Sequence, residues 1–221
     1  MIKMKRAVVL VASFILTIIC DYSGITRAQE IKTIQLLAPQ TEGGKSLMQS
    51  LKERKSLREF SPKELTLQVI SDLLWAANGI NRPDSGHHTA PTAMNLQEID
   101  IYIAKADGLY LFDAKANVLI QVTAEDIRFL TGRQPFVKDA PINLIFVADL
   151  SKMSRMSAED VLFYSGTDTG FISQNVYLYC ASAGLVTVVR GMIDKPSLSK
   201  AMKLRPDQRI TLAQTIGYPK N

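Results

Sequence analysis

The distribution of apolar residues predicts a chain of mixed helices and strands. Apolar residues recur at helical spacing in residues 45–54, 67–77 and 168–183, and at strand spacing in residues 99–103. A nearly unbroken apolar run over residues 142–148 is typical of a strand inside a sheet. The remaining predicted elements are strands at 109–112, 118–122, 185–189 and 210–216 and short helices at 124–131 and 196–203. Because helices and strands do not alternate in strict βαβ order, the pattern predicts an α+β fold with a mainly antiparallel central sheet flanked by helices.

Local signals set the ends of several predicted elements. Ser61-Pro62-Lys63-Glu64 has the form of a capping box with proline at the first helical position, so it predicts the start of the second helix. That helix is expected to end near Gly79, before a loop over residues 80–95. Asp168 is a candidate N-cap of the long helix, and Gly184 is suited to end it.

The N-terminus has the features of a secretory signal peptide. Three basic residues stand in the first six positions, and only two of the thirteen residues at 7–19 are polar. That stretch is shorter than the ~20 residues that a membrane-spanning helix needs. Thr26-Arg27-Ala28 supplies small residues on both sides of the arginine, so we expect cleavage after Ala28.

The chain therefore divides into a signal peptide at 1–28, a polar leader at 29–44 and one domain at 45–221. Its 47% apolar and 21% charged residues are typical of a single globular domain and exclude a disordered or fibrous chain. We expect an exported, periplasmic protein. Two alternatives stay open, namely a lipoprotein anchored at Cys20 and an uncleaved membrane anchor.

Removal of the signal peptide nearly balances the charge. The chain has 26 Lys and Arg against 21 Asp and Glu, and residues 1–28 hold four of the basic and one of the acidic residues, so the net charge falls from +5 to +2. This balance argues against a nucleic-acid partner, and membrane contact is expected only through the signal peptide or a lipid anchor. Cys180 is then the sole cysteine, so no internal disulfide is expected. The two histidines and two cysteines of the whole chain do not suggest a structural zinc site.

Residues 54–60, with the sequence Arg-Lys-Ser-Leu-Arg-Glu-Phe, concentrate side chains that bind phosphate. Arg54 and Arg58 offer bidentate donors, Lys55 adds an ammonium group, and Ser56 adds a hydroxyl. The alternative interpretation is a solvated basic helix end, which the helix dipole favours.

A second candidate segment is the loop over residues 89–97, Thr-Ala-Pro-Thr-Ala-Met-Asn-Leu-Gln. Its small residues allow backbone amides to approach a ligand closely, while Asn95 and Gln97 supply side-chain amides. Taken alone, it is also an ordinary proline-containing loop.

In their order and spacing, these two segments resemble the nitroreductase family of FMN-dependent oxidoreductases. Residues 54–60 resemble its Arg-Arg-Ser-x-Arg-x-Phe motif, and residues 91–97 its Pro-Ser-x-x-Asn-x-Gln loop. Between them, residues 73–80 resemble the end of the intervening helix, in a form similar to the azoline-dehydrogenase-type members. The resemblance extends over residues 45–219 through four further matches: Gln174-Asn175, Gly184-Leu185, Val188 to Asp194 and Gly217-Tyr218-Pro219.

This resemblance implies a homodimer with one FMN in each of two clefts at the subunit interface. It places the phosphate and ribityl chain at residues 54–58, the loop of the other subunit at residues 91–95, the pyrimidine edge at Gln134 and the reactive N5 near the Arg190-Gly191 backbone. The implied cofactor-binding residues are Arg54, Lys55, Ser56, Arg58, Pro91, Thr92, Ala93, Asn95, Gln134, Arg190, Gly191 and Lys220. Lys220 enters as a substitute for the basic C-terminal tail of the family.

The activity implied by the resemblance is a ping-pong transfer of hydride or electrons between FMN and a small organic substrate. No catalytic side chain is required, and NAD(P)H is a candidate electron donor. The short region Ser151–Thr167 predicts an open substrate cleft. The alternative function is a non-catalytic flavin-binding or partner-binding module, because NAD(P)H is not expected in the periplasm.

Overall fold

The computed structural model describes residues 32–220. The predicted signal peptide, Cys20 and the first residues of the predicted leader lie outside this range. The helices are α1 (Leu47–Glu53), α2 (Leu67–Asn78), α3 (Ala158–Ala183) and α4 (Lys195–Ala201). The strands are β1 (Thr33–Gln35), β2 (Ile80–Arg82), β3 (His87–His88), β4 (Ile99–Lys105), β5 (Gly108–Asp113), β6 (Val118–Thr123), β7 (Ile142–Asp149), β8 (Val186–Arg190) and β9 (Gln208–Gly217). Short 3₁₀ turns occur at Ala93–Asn95, Arg128–Thr131, Pro135–Val137 and Leu150–Met153.

A seven-stranded sheet in the order β1-β6-β5-β4-β7-β9-β8 forms the centre of the domain. Every pair of neighbouring strands in it is antiparallel, which confirms the predicted α+β class. All eight residues of β7 are buried, as the apolar run at 142–148 predicted. The strands predicted at 109–112 and 118–122 are confirmed as β5 and β6, which pair with each other.

The two faces of the sheet carry different helices. On one face, Leu73 and Leu74 of α2 and Ile172 and Val176 of α3 pack against residues such as Phe146. The opposite face is covered by the α4 region, where Leu198 and Met202 join Ile145 and Val147. Burying such a side chain contributes about 1.5–3 kcal/mol to stability. The two apolar layers therefore stabilise residues 32–220, whose cysteine, Cys180, is free and forms no disulfide.

The helix predicted at 45–54 is confirmed as α1, but its apolar face points outward. Leu47, Met48 and Leu51, which the helical spacing places on one face, are 63%, 73% and 45% exposed. The buried residue of α1 is Ser50. Periodicity shows which residues share a face but does not show which neighbour covers that face.

The predicted start of α2 at Ser61 is wrong. The helix begins at Leu67, and the Thr66 hydroxyl accepts the cap hydrogen bond from Val69 N–H. Before it, Ser61 N–H donates to the Tyr218 carbonyl at 2.9 Å, and Phe60 forms a bridge with Pro219. Pairing with the C-terminal segment therefore holds this stretch extended and overrides the local capping box.

The long helix α3 begins ten residues earlier than predicted. Its N-cap is Ser157, whose hydroxyl accepts from Asp160 N–H. Asp168 therefore lies inside the helix and is not its cap. Much of the region 151–167, whose shortness predicted an open substrate cleft, belongs to this helix. Gly184 ends the helix at φ +69°, as predicted. Within residues 32–220, no helix combines the length and the apolar character needed to cross a membrane.

Two short pairings have no counterpart in the sequence pattern. Residues 33–35 of the predicted leader form the edge strand β1 on β6, and the next residue, Leu36, is buried in the core. The predicted loop 80–95 contains the hairpin of β2 and β3. Strands of two or three residues are too short to show a period of two.

Candidate functional site

The basic segment, residues 54–58, leaves α1 and runs beside β8. Ser56 forms a parallel bridge with Thr187, and Leu57 N–H donates to the Thr187 carbonyl at 3.1 Å. These contacts fix the backbone of the segment in an extended form. In an extended chain successive side chains point to opposite sides, so its members reach different neighbours.

Arg54 and Ser56 both contact Tyr177 of α3. The Arg54 guanidinium carbon lies 5.3 Å from the centroid of the Tyr177 ring, and Ser56 Oγ lies 2.7 Å from Tyr177 Oη. Tyr177 Oη also accepts a hydrogen bond from Val189 N–H at 3.0 Å. Tyr177 thus links the basic segment to β8, a role that sequence reasoning missed. α3 carries several other hydroxyl residues, so no sequence signal distinguished Tyr177.

Lys55 and Leu57 line a groove of about 470 Å³ between α1, the end of α3 and β8, and Tyr177 lines the same groove. Lys45 also lines it, but Lys45 is paired with Glu53 at 2.6 Å. Among residues 32–220, Arg54 and Lys55 form no ion pair. Both cations are therefore available to an anionic ligand.

Arg58 and Lys220 lie together in a separate depression. They line it with Phe60, Arg128 and Lys138. The structure thus brings Lys220 to one end of the basic segment, away from the groove of Lys55.

Arg190 is buried at the end of β8, and its guanidinium donates hydrogen bonds to groups inside the protein. It donates to the Thr131 carbonyl at 2.6 Å, to Asn143 Oδ1 at 2.8 Å and to Thr215 Oγ1 at 3.1 Å. Burial lowers the pKa of Arg190 to about 10. The side chain therefore supports the fold, and only its backbone and that of Gly191 can face a ligand.

Gln134 lies near the end of β8, since its Oε1 and Arg190 Nη1 both approach Gly132. Arg133 N–H donates to the Met192 carbonyl at 3.3 Å, which ties the two segments together. Gln134 Oε1 is buried and has no hydrogen-bond donor within the described part of the chain. A Cβ at Gly132 would collide with Arg190 Nη1 and lie 2.8 Å from Gln134 Oε1, so glycine is required there for steric reasons.

The loop at residues 91–97 is held in an unusual backbone form. Met94, Asn95 and Gln97 have φ values of +49°, +55° and +50°. Non-glycine residues in this region store strain, and such strain clusters at ligand sites. Internal hydrogen bonds hold the loop, since Thr92 Oγ1 accepts from Gln97 N–H and Asn95 Oδ1 accepts from Gln97 Nε2.

The loop is anchored to α3 by Asp168, whose Oδ2 accepts from Ala93 N–H at 2.9 Å. Pro91 and Asn95 are exposed, while Thr92 and Ala93 are half-buried. No hydrogen bond joins the loop to the basic segment within residues 32–220 of one chain. The predicted residues thus form three groups: the basic segment with Lys220, Gln134 with Arg190 and Gly191, and the loop.

The other reactive side chains offer no competing site. Within residues 32–220, no cluster of three His, Cys, Asp or Glu residues can hold a metal ion. Cys180 is buried, and burial raises the pKa of its thiol well above the usual range. A buried neutral thiol is unreactive.

Comparison with known proteins gives a consistent result. The family model described as "Nitroreductase family" matches residues 51–218. A nitroreductase homologue from Methanocaldococcus jannaschii is 28% identical over 183 residues, which cover 78% of this chain and 91% of that protein. The crystal structure of a nitroreductase homologue from Ralstonia eutropha JMP134 is 41% identical with a TM-score of 0.82, over 86% of this chain and 90% of the other. An FMN-dependent nitroreductase from Clostridium difficile R20291 shares the fold, at 15% identity and a TM-score of 0.57 over 79% of this chain and 88% of the other.

Proposed function

Since the chain belongs to the nitroreductase family of oxidoreductases, which is in general FMN-dependent, we propose that it binds FMN and transfers hydride or electrons by a ping-pong mechanism. The substrate class is a small organic molecule. NAD(P)H is the proposed electron donor. The observation that carries the proposal is the unpartnered, buried Oε1 of Gln134 beside the Arg190-Gly191 backbone.

The residues present fit a flavin. An isoalloxazine ring has one imide N–H on its pyrimidine edge, and a buried amide oxygen without a donor is a matching acceptor. Leaving such an oxygen unsatisfied costs about 1–3 kcal/mol, which a ring N–H would recover. Arg54, Lys55 and Ser56 offer charge-assisted and neutral hydrogen bonds for a phosphate. Arg58 and Lys220 lie in the separate depression, which Glu59, Glu64 and Asp139 also line.

The bound flavin supplies the redox chemistry, and the chain binds and orients it. Gln134 would fix the ring edge, while the backbone of Arg190 and Gly191, held by the buried guanidinium, would approach the ring at its reactive side. No side chain of this chain needs to act as a nucleophile or a general base in the proposal.

Replacing Gln134 with leucine tests the observation on which the proposal rests. We expect the flavin-free protein to become more stable by about 1 kcal/mol, because a buried unsatisfied oxygen is removed. Flavin affinity should fall roughly five- to ten-fold, the value of one hydrogen bond. FMN and riboflavin titrations should show the same loss, because the two flavins share the ring. Unchanged affinity for both flavins would contradict the assignment of Gln134.

Anaerobic mixing with NADH and with NADPH distinguishes the enzyme from a binding module. Rapid loss of the flavin absorbance supports the proposed donor and the ping-pong half-reaction. Tight FMN binding without reduction by either nucleotide would contradict NAD(P)H as the donor and favour the non-catalytic alternative.

We also propose that two copies of the chain form the site. Large apolar side chains are exposed on α1, on α3 and in the loop, a pattern that marks an interaction surface. They include Leu47, Met48, Leu51, Met94, Leu162, Phe163 and Phe171. A second copy covering these residues would also explain why the loop and Arg54 lie apart within one chain.

Mixed dimers test this shared site. Arg54→Ala and Asn95→Ala subunits should each bind FMN weakly as parent dimers. In a mixed dimer, one of the two sites would combine both intact residues and the other both altered ones. We expect mixing to restore strong binding in a fraction of sites, measured by FMN titration. If mixed preparations never bind better than both parents, the shared cleft is excluded.

For location, we propose export to the periplasm, supported by the basic start and apolar stretch of residues 1–28. N-terminal sequencing of the protein recovered from the periplasm should begin after Ala28. Recovery of the intact N-terminus in the membrane fraction would contradict cleavage.

A further inference from the structure

Glu98 is a buried acid at the point where the loop 91–97 enters β4. Its side chain is 0% exposed, and no donor among residues 32–220 reaches either carboxyl oxygen. Its neighbour is Asp168 of α3, itself 2% exposed. Burial first, and the Asp168 carboxylate second, raise the pKa of Glu98 to about 7.

The contact between these two acids requires a proton. Ionised carboxylates accept hydrogen bonds but cannot donate them, so two of them in contact repel each other. Asp168 Oδ2 already accepts from Ala93 N–H at 2.9 Å, whereas neither Glu98 oxygen has a donor among the described residues. The shared proton therefore belongs on Glu98, from which it can be donated to Asp168.

The surrounding charges do not remove this requirement. Lys152 is the cation near the pair, but its Nζ donates to the Gln97 carbonyl at 2.8 Å and lies 3.6 Å from Asp100 Oδ1. Asp149 contacts Glu98 only through its backbone N–H, which donates to the Glu98 carbonyl. The Asp149 carboxylate is engaged by Arg205 at 2.9 Å.

We propose that Glu98 and Asp168 are positioning residues of the flavin site, which hold the loop 91–95 in its ligand-binding form through one shared proton. This inference rests on the proposed function, since it assigns the loop to a flavin. Met94 and Asn95 of this loop, and Gln97 just after it, have positive φ, and such strained conformations persist only while the surroundings hold them. Loss of the proton sets two buried negative charges against each other at the Asp168–Ala93 anchor, so the loop relaxes and flavin binding weakens.

The test is riboflavin affinity of the flavin-free protein between pH 6 and 8.5. Riboflavin is chosen because it lacks the phosphate, which titrates near pH 6. If only the protonated pair binds, affinity falls roughly 30-fold over this range for a pKa near 7. Glu98→Gln carries a permanent amide donor toward Asp168, so its affinity should stay constant. Glu159→Gln, an exposed acid of α3, is the matched control and should keep the wild-type fall.

Asp168→Asn is a second variant with a distinct expected result. Its amide oxygen can still accept from Ala93 N–H, while its amide nitrogen can donate to ionised Glu98. Affinity at pH 8.5 should therefore equal that of the wild type at pH 6. Riboflavin affinity that is equal at both pH values in the wild type, or a wild-type fall in both variants, overturns the proposal.

A flavin-free measurement separates this proposal from the proposed function. Between about pH 4.3, the ordinary value for glutamate, and pH 7, the folded protein keeps a proton that the unfolded chain has lost. Stability must therefore fall as pH rises through this window. The thermal midpoint should fall between pH 5 and 7.5 in the wild type and fall less in Glu98→Gln. If no flavin binds at any pH, the proposed function fails; equal thermal profiles then also overturn the role of the pair.

Discussion

Arg190→Met is expected to destabilise the fold by about 3 kcal/mol or more, because Arg190 is buried and its guanidinium bonds to groups inside the protein. Hydrogen bonds to a charged group contribute about 1.5–3 kcal/mol each. The Arg190 side chain makes three short ones and a longer fourth to Thr131 Oγ1 at 3.5 Å. Methionine leaves the Thr131 carbonyl without its donor in a buried position and removes the tie between Thr131 and Asn143. Urea unfolding of the flavin-free protein measures the loss.

The matched control is Arg209→Met. Arg209 is exposed on β9 and forms no salt bridge among residues 32–220, so its replacement should change stability by less than about 0.5 kcal/mol. A change below about 1 kcal/mol for Arg190→Met would mean that its hydrogen bonds contribute no net stability. In that case the guanidinium would serve only to place the backbone that we propose faces the flavin.

The central sheet could be predicted from the sequence because its strands are long and apolar. The runs at 99–103 and 142–148 became β4 and β7, whose pairing brings Ile101 opposite Phe146 and Tyr102 opposite Ile145. A short, nearly continuous apolar run, such as residues 142–148, is typical of a strand that is buried on both faces of a sheet. Gly184 was equally clear, since a left-handed residue at a helix end favours glycine.

The two wrong predictions of helix starts, at Ser61 and Asp168, have a common cause. In both places tertiary contacts outweighed the local sequence signal. Ser61 has a good capping sequence, yet its N–H pairs with Tyr218, more than 150 residues away in the chain. Asp168 has the residue type of an N-cap, yet it lies inside α3 and accepts from the loop. A polar side chain that serves a distant backbone group has the same local pattern as one that serves its own helix.

In the candidate site, too, some features could be predicted and others depended on tertiary contacts. The resemblance placed Gln134 and the Arg190-Gly191 turn in one site, and the structure brings the two segments together through Arg133. It did not indicate that the Arg190 guanidinium is buried, or that Tyr177 links Ser56 to β8. These roles depend on which elements meet in three dimensions, and no spacing in the sequence encodes that.

Arg54→Ala should weaken FMN binding by ten-fold or more while changing riboflavin binding little. The guanidinium forms no ion pair in the described part of the chain, so it is free to meet a phosphate, and each charge-assisted bond contributes about 1.5–3 kcal/mol. Arg54 also lies over the Tyr177 ring, and any loss transmitted through Tyr177 would affect both flavins. Arg155→Ala, at an exposed arginine, controls for the loss of one positive charge. The measurement is titration of FMN and of riboflavin into flavin-free protein. A loss of affinity confined to FMN assigns Arg54 to the phosphate. Equal losses of affinity for the two flavins would show that Arg54 acts through Tyr177 on the part of the site that binds the ring.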